Sequence, residues 1–296
     1  MVEFENLRSE KMNEIKGTTK IVGVIGYPVS HSLSPKMHNA VFRKMGLDWI
    51  YIAFPVAPPN LKYAIKGLAG LGIEGVNVTI PHKEAVIKYL DEISEEARLI
   101  GAVNTILVKK DGKLFGTNTD APGFRTAIEK DGGFKIGGKR VTIFGAGGVA
   151  KAISVACALS DAQSITITDI QFEKCELIMK SVKKANSKTK VSAFKPGTVE
   201  LRNEVQKSDL IVDATPLGMK PGDPSPCPAD WLPKNAFVFD TVYNSPLTPI
   251  LRDAKERGLK TQNGLPMLIY QGAISFEIWT GIKPDIEVMR EVLLKV

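Results

Sequence analysis

RVTIFGAGGVAKAISVACAL, residues 140–159, passes within one short span from a strand pattern to a helical one. Arg140–Phe144 is rich in β-branched and apolar residues, whereas the alanine-rich run after Gly148 favours a helix. Between them Gly145, Gly147 and Ala150 are spaced as GxGxxA. Glycines at these positions let the backbone turn tightly and approach a pyrophosphate, which rests on the helix N-terminus. The spacing alone is a weak signal. Its place between a strand and a helix strengthens it, as does a second strand, ITITD (165–169), whose last residue is the acid Asp169. A dinucleotide site is the expectation for this segment.

Working outward, LIVDAT (210–215), AFVFDTV (236–242) and KTQNG (260–264) read as further strands of a doubly wound sheet. The first half has the same alternation of strands and helices, in TKIVGVIGY (19–27), WIYIAFPV (49–56), GVNVTI (75–80) and AVNTILV (102–108). Helices are expected to begin near Pro35, Pro59 and Pro81. Asp111-Gly112 between strand-like residues signals a hairpin, so the first sheet should be mixed. The tail from Asn263 onward reads as helices, with Met267, Leu268, Ala273, Phe276 and Ile278 available for packing. We expect it to return to the first domain. The predicted fold class is α/β with two domains. Residues 19–120 plus 264–296 form a mixed α/β substrate domain completed by the C-terminal helices. Residues 121–263 form an inserted Rossmann-type domain, and 1–18 are an N-terminal extension with a weak helical stripe at Phe4, Leu7, Met12 and Ile15.

Composition narrows the function classes. A chain of 296 residues with 44% hydrophobic and 24% charged residues has the makeup of a globular protein with two ordinary domains. No apolar run approaches the ~20 residues that span a bilayer, and the polar start does not resemble a secretory signal. The cytoplasm is the expected location. Cys157, Cys175 and Cys227, with His31, His38 and His82, lack metal-ligand spacing, so no metal is expected. The net charge of +7 comes from scattered lysines apart from KSVKKANSKTK (180–190), and no aromatic-rich motif accompanies it. Nucleic acid is therefore not an expected partner, and neither is a membrane. A small anionic molecule is.

NVTIPHK (77–83) carries the chemistry. Asn77 and Thr79 point to one face of their strand. Pro81 is placed to start a helix, which would put Lys83 in a first helical turn, where the dipole disfavours a cation. Polar groups beside such an ammonium suggest a pocket rather than a surface lysine. In IGYPVSHSLSP (25–35) one of Ser32 and Ser34 is expected to cap the following helix. Capping explains one serine, and two hydroxyls beside a helix start also suit a carboxylate.

With these motifs, GAVNT (101–105), GTNTD (116–120), GAGGVAKA (145–152) and NGLPMLIYQGA (263–273), the chain closely resembles the shikimate dehydrogenase family from about residue 20 to its end. The resemblance implies a two-domain enzyme that interconverts 3-dehydroshikimate and shikimate with a nicotinamide cofactor. It implies Ser32, Ser34 and Tyr243 at the substrate carboxylate, and Asn77, Thr79, Asn104, Asp120 and Gln271 at the ring hydroxyls. Lys83 and Asp120 would be the catalytic pair, with Asn118 and Thr119 shaping the same wall. It places Gly145, Ala146, Gly147, Gly148, Val149, Ala150, Asp169, Thr215, Gly264 and Met267 at the cofactor. Oligomeric state is left as monomer or homodimer.

Two positions depart from the family pattern. Members that use NADP usually carry Asn-Arg-Ser/Thr after the second dinucleotide strand, and the arginine grips the 2′-phosphate. Here the residues are Asp169-Ile170-Gln171, so NAD is the favoured cofactor. Lys174 offers partial compensation and keeps NADP possible. Pro266 replaces the more usual glycine of Gly-Leu-Gly-Met-Leu. The rival readings are a quinate or dual quinate/shikimate dehydrogenase, a non-enzymatic metabolite-binding regulator, and a folate-linked methylene dehydrogenase. Ser34 speaks against the first, the intact Lys83, Asn104 and Asp120 set against the second, and the Ser-x-Ser site against the third.

Overall fold

A computed structural model describes residues 14–294. The first lobe runs through β1 (Lys20–Gly26), α1 (Ser34–Lys44), β2 (Trp49–Pro55), α2 (Leu61–Gly67), β3 (Ile73–Val78), β4 (Glu92–Ile93), α3 (Glu95–Ile100), β5 (Thr105–Val108) and β6 (Leu114–Thr117). Its strand order is β2-β1-β3-β5-β6-β4. β1 is parallel to β2 and β3, while β5 is antiparallel to β3 and β6, so the sheet is mixed. The hairpin β5–β6 turns through Asp111 and Gly112, with Gly112 at φ 82° and the Lys113 N–H donating to Asp111 Oδ1.

α4 (Asp120–Thr126) leads into the second lobe. That lobe contains β7 (Arg140–Phe144), α5 (Gly148–Leu159), β8 (Ser164–Thr168), α6 (Glu173–Ala185), β9 (Lys190–Ala193), α7 (Val199–Lys207), β10 (Leu210–Asp213), β11 (Phe237–Asp240), α8 (Pro249–Glu256) and β12 (Lys260–Gln262). All pairings are parallel, in the order β12-β11-β10-β7-β8-β9. Counted within the lobe this is the doubly wound order, whose ligand crevice lies where the strand order reverses, here between β7 and β10. Gly145 occupies that point at φ 101°, and a Cβ on it would stand 2.8 Å from the Ala214 carbonyl oxygen. Both the turn and the close approach require glycine.

α9 (Leu265–Thr280) and α10 (Ile286–Leu294) carry the chain back. Met267 packs in the core of the second lobe, whereas Ile269, Ala273, Phe276 and Trp279 join Val22, Met37, Phe42 and Tyr51 in the first. Met289 and Leu293 extend that cluster from α10. Burying a side chain the size of Phe276 stabilises by about 1.5–3 kcal/mol, enough to hold the tail on the first lobe. Pro266 lies in the first turn of α9, where its missing N–H costs nothing.

Three local expectations need correction or fall outside these residues. Helices do begin at or near Pro35 and Pro59, but none begins at Pro81. Residues 80–86 form turns followed by a short 3₁₀ segment, Ile87–Tyr89. The Tyr27 N–H binds the Ile80 carbonyl, the His82 ring binds the Val56 carbonyl, and the Val103 N–H binds the Lys83 carbonyl, so this backbone is tied to neighbouring segments. Neither serine makes an ordinary N-cap on α1, because Leu33 holds the cap position; Ser32 Oγ accepts from the Ser34 N–H at 3.3 Å. Of the N-terminal stripe, Phe4, Leu7 and Met12 lie outside the described residues, and Ile15 is exposed.

Candidate active site

The parallel strands β1 and β3 end side by side, and the segments beyond them carry Ser32, Ser34, Thr79 and Lys83. Lys83 is no longer opposed by a helix dipole, since the chain around it is turn. Its Nζ lies 2.6 Å from Asp120 Oδ2, and the two side chains are 12% and 7% exposed. Stripping one partner from an ion pair this enclosed costs about 3–5 kcal/mol, so each charge holds the other in place. Asn104 Nδ2 donates to Asp120 Oδ1 at 2.8 Å and to Thr119 Oγ1 at 2.9 Å, and approaches Gln271 Oε1 at 3.4 Å. Asn104 Oδ1 in turn accepts the Thr119 N–H at 2.7 Å. Asn118 fixes the start of α4 by accepting the Asp120 N–H and donating to the Ala102 carbonyl.

Gly123 brings Gln271 to this group. A Cβ there would sit 2.8 Å from both the Cβ and the backbone N of Gln271, so α4 and α9 cross at van der Waals contact. The two connections between the lobes thus meet beside the ion pair. Asn77 is placed deeper than expected. It is buried, its Oδ1 accepts the Tyr51 hydroxyl at 2.8 Å, and its Nδ2 faces the Asn104 carbonyl, Thr105 Oγ1 and Ser275 Oγ at 3.0–3.1 Å. Ser34 is buried, while Ser32 is partly exposed. The Tyr243 phenol lies close enough to act electrostatically on Tyr51, and burial raises its own pKa.

The glycine loop faces this pocket. A Cβ on Gly148 would lie 3.4 Å from Lys83 Cδ, so the lysine stem rests on the dinucleotide loop. Lys151 Nζ, on the first turns of α5, pairs with Glu84 Oε2 at 2.8 Å, joining the lobes a second time. α5 starts at the N-cap Gly147 with no side-chain cap, which leaves its first N–H groups to a ligand and fits a pyrophosphate. Asp169 Oδ2 accepts the Ala146 N–H at 2.6 Å and Oδ1 accepts the Gln171 N–H at 2.7 Å, so the acid also braces the loop. Thr215 donates its N–H and hydroxyl to Asp213, two residues before it, Gly264 packs against the Thr241 carbonyl, and Met267 is buried. Val149 and Ala150 line the start of the helix. Among the described residues no three acidic, histidine or cysteine side chains are grouped to hold a metal.

Residues 24–106 match the shikimate dehydrogenase substrate binding domain, and residues 264–294 match the shikimate 5′-dehydrogenase C-terminal domain. A protein of Desulforamulus reducens called shikimate dehydrogenase (NADP(+)) is 46% identical over 283 residues, covering 95% of this chain and 97% of its own. The chain belongs to the shikimate dehydrogenase family. A shikimate dehydrogenase solved with NADP⁺ superposes with a TM-score of 0.86 at 43% identity, over 95% of this chain and 97% of that one. One from Listeria monocytogenes, solved with shikimate and NAD, does so with a TM-score of 0.86 at 39% identity, over 94% and 98%. Asp169 and the exposed Ile170 follow directly on β8. The sequence reading missed Tyr51, Thr105 and Ser275, all buried in the polar network. Ser275 was detectable as the residue one helical turn beyond Gln271. Tyr51 carried no such signal, because an aromatic residue in a strand reads as core.

Proposed function

We propose that this chain is a shikimate dehydrogenase that reversibly reduces 3-dehydroshikimate to shikimate in aromatic amino-acid (chorismate) biosynthesis. The observation that carries the reading is the Lys83–Asp120 pair at 2.6 Å, enclosed by Asn104 and Gln271 and pressed against Gly148 of the dinucleotide loop. A nicotinamide held there supplies or accepts the hydride. Lys83 is the cation set against the oxygen on which charge grows, and it passes the proton to or from that oxygen. Asp120 holds the ammonium in position and accepts from a ring hydroxyl. Ser32, Ser34 and Tyr243 receive the carboxylate, while Thr79, Asn104 and Gln271 orient the ring. The substrate lobe comprises residues 19–120 and 264–296 and the dinucleotide lobe 121–263, with closure of the cleft excluding water. The cytoplasm is its place of action, in keeping with three free, buried cysteines.

We assign NAD as the preferred cofactor, although the relatives named above include NADP users. A 2′-phosphate would meet the Asp169 carboxylate with no arginine at position 170 to receive it. Unit charges ~4 Å apart at a protein surface repel by about 4 kcal/mol, and a tenfold preference needs only about 1.4. Steady-state kcat/KM for shikimate and quinate with NAD and NADP tests the whole reading. Shikimate with NAD should lead each alternative at least tenfold. No oxidation of shikimate by folded protein would remove the activity, and a tenfold advantage for NADP would remove the cofactor assignment alone.

A further inference from the structure

Tyr51 is 1% exposed in the middle of β2, an edge strand of the first sheet. Its backbone is clasped by Asn39, whose Nδ2 donates to the Tyr51 carbonyl at 2.9 Å and whose Oδ1 accepts the Tyr51 N–H at 2.8 Å. The neutral ring of His38 stacks on it at 4.4 Å and 2°, and Trp279 closes the other approach at 6.0 Å. Filling the core needs only the ring, and phenylalanine would serve. The hydroxyl does something else. It donates to Asn77 Oδ1 at 2.8 Å. From Asn77 the hydrogen bonds continue through Thr105 and Ser275 to Thr119 and Asn104, and from Asn104 to Asp120 and Lys83.

One buried chain therefore joins the Tyr51 hydroxyl with the ion pair assigned to the carbonyl. With a rigid ring and a fixed backbone, the phenol sets which way the Asn77 amide faces. We infer that Tyr51 is a positioning residue of this site, fixing Asn77 beneath the substrate ring, and this rests on the shikimate dehydrogenase reading above.

Tyr51→Phe keeps the ring and its stacking and removes only the oxygen. The expected result is a rise of about tenfold in KM for shikimate, with kcat reduced less than threefold and KM for NAD unchanged. A hydroxyl that served folding alone would lower the urea midpoint and leave this split between KM and kcat unaltered. In an Asn77→Ala background the same change should add less than threefold, since the group that Tyr51 positions is already gone. Circular dichroism of each variant confirms that the comparison is between folded enzymes. An unchanged KM for shikimate in Tyr51→Phe, or full additivity with Asn77→Ala, overturns the inference while leaving the activity intact. Failure of the unaltered chain to oxidise shikimate overturns the inference together with the reading beneath it.

Discussion

Replacing Asp213 with asparagine removes a buried carboxyl from the dinucleotide lobe. Asp213 and Asp240 are register neighbours at the ends of β10 and β11, 1% and 0% exposed. Burial, reinforced by the Asp240 charge, pushes Asp213 from 3.8 up to about 7. Burial likewise pushes Asp240 up to about 6, against the Thr248 hydroxyl and the Val242 N–H, which favour its charge. The Cys227 thiol also faces this region and is pushed up to about 12 by burial and by Asp213. An acid raised on folding binds more protons in the folded chain than in the unfolded one between about pH 4 and 7. Stability must therefore fall as pH rises through that window. Relative to a neutral side chain, an acid at about 7 folded and 3.8 unfolded costs about 2 kcal/mol at pH 5 and about 4 at pH 8. Asparagine retains an oxygen for the Thr215 N–H and hydroxyl, which Asp213 now receives at 2.9 and 2.6 Å. Asp213→Asn should thus be the more stable form, with its lead widening by about 2–3 kcal/mol from pH 5 to pH 8. Urea unfolding followed by tryptophan fluorescence, with Trp231 reporting from this lobe, measures the gap at each pH. A lead that stays flat or shrinks as pH rises would show that the carboxyl is not held protonated by its surroundings.

Two more perturbations bear on the cleft. Lys83→Ala should lower kcat by a factor of 100 or more, the scale of general acid–base catalysis; a near-normal kcat takes Lys83 out of the mechanism. Glu84→Lys or Lys151→Glu alone should reduce kcat and the urea midpoint, because each sets two like charges against each other where Lys151, 7% exposed, now meets a carboxylate. Half of Glu84 is open to water, so the loss is nearer 1 kcal/mol than the buried-pair figure. The double reversal should restore both quantities, and a double variant no better than either single one would mean the pair does not join the lobes.

The glycine loop, the hairpin at Asp111-Gly112 and the strands of both lobes were legible because each rests on local chemistry: β-branched runs, φ-permissive glycines and proline starts. Pro81 misled for the same reason. It is a good helix starter, yet the Ile80 and Lys83 carbonyls and the His82 ring are bound by groups distant in sequence. β9 and α3 escaped notice, the first a partly buried edge strand and the second only Glu95–Ile100 long. Asp169 was read as a selector of cofactor, and its second task of bracing Ala146 appears only when β8 and the loop lie side by side.

By itself the sequence determined the two α/β lobes, the dinucleotide turn and the identities of the polar residues, since backbone propensity and motif spacing act within a few residues of one another. Only the tertiary structure decided that Lys83 meets Asp120, that Gln271 reaches them across Gly123, and that Tyr51 joins the buried polar network as well as the core. Those contacts join residues from about two dozen to well over a hundred positions apart. They form because burying α9 against the first sheet forces the polar groups it carries to find partners in the same dry space.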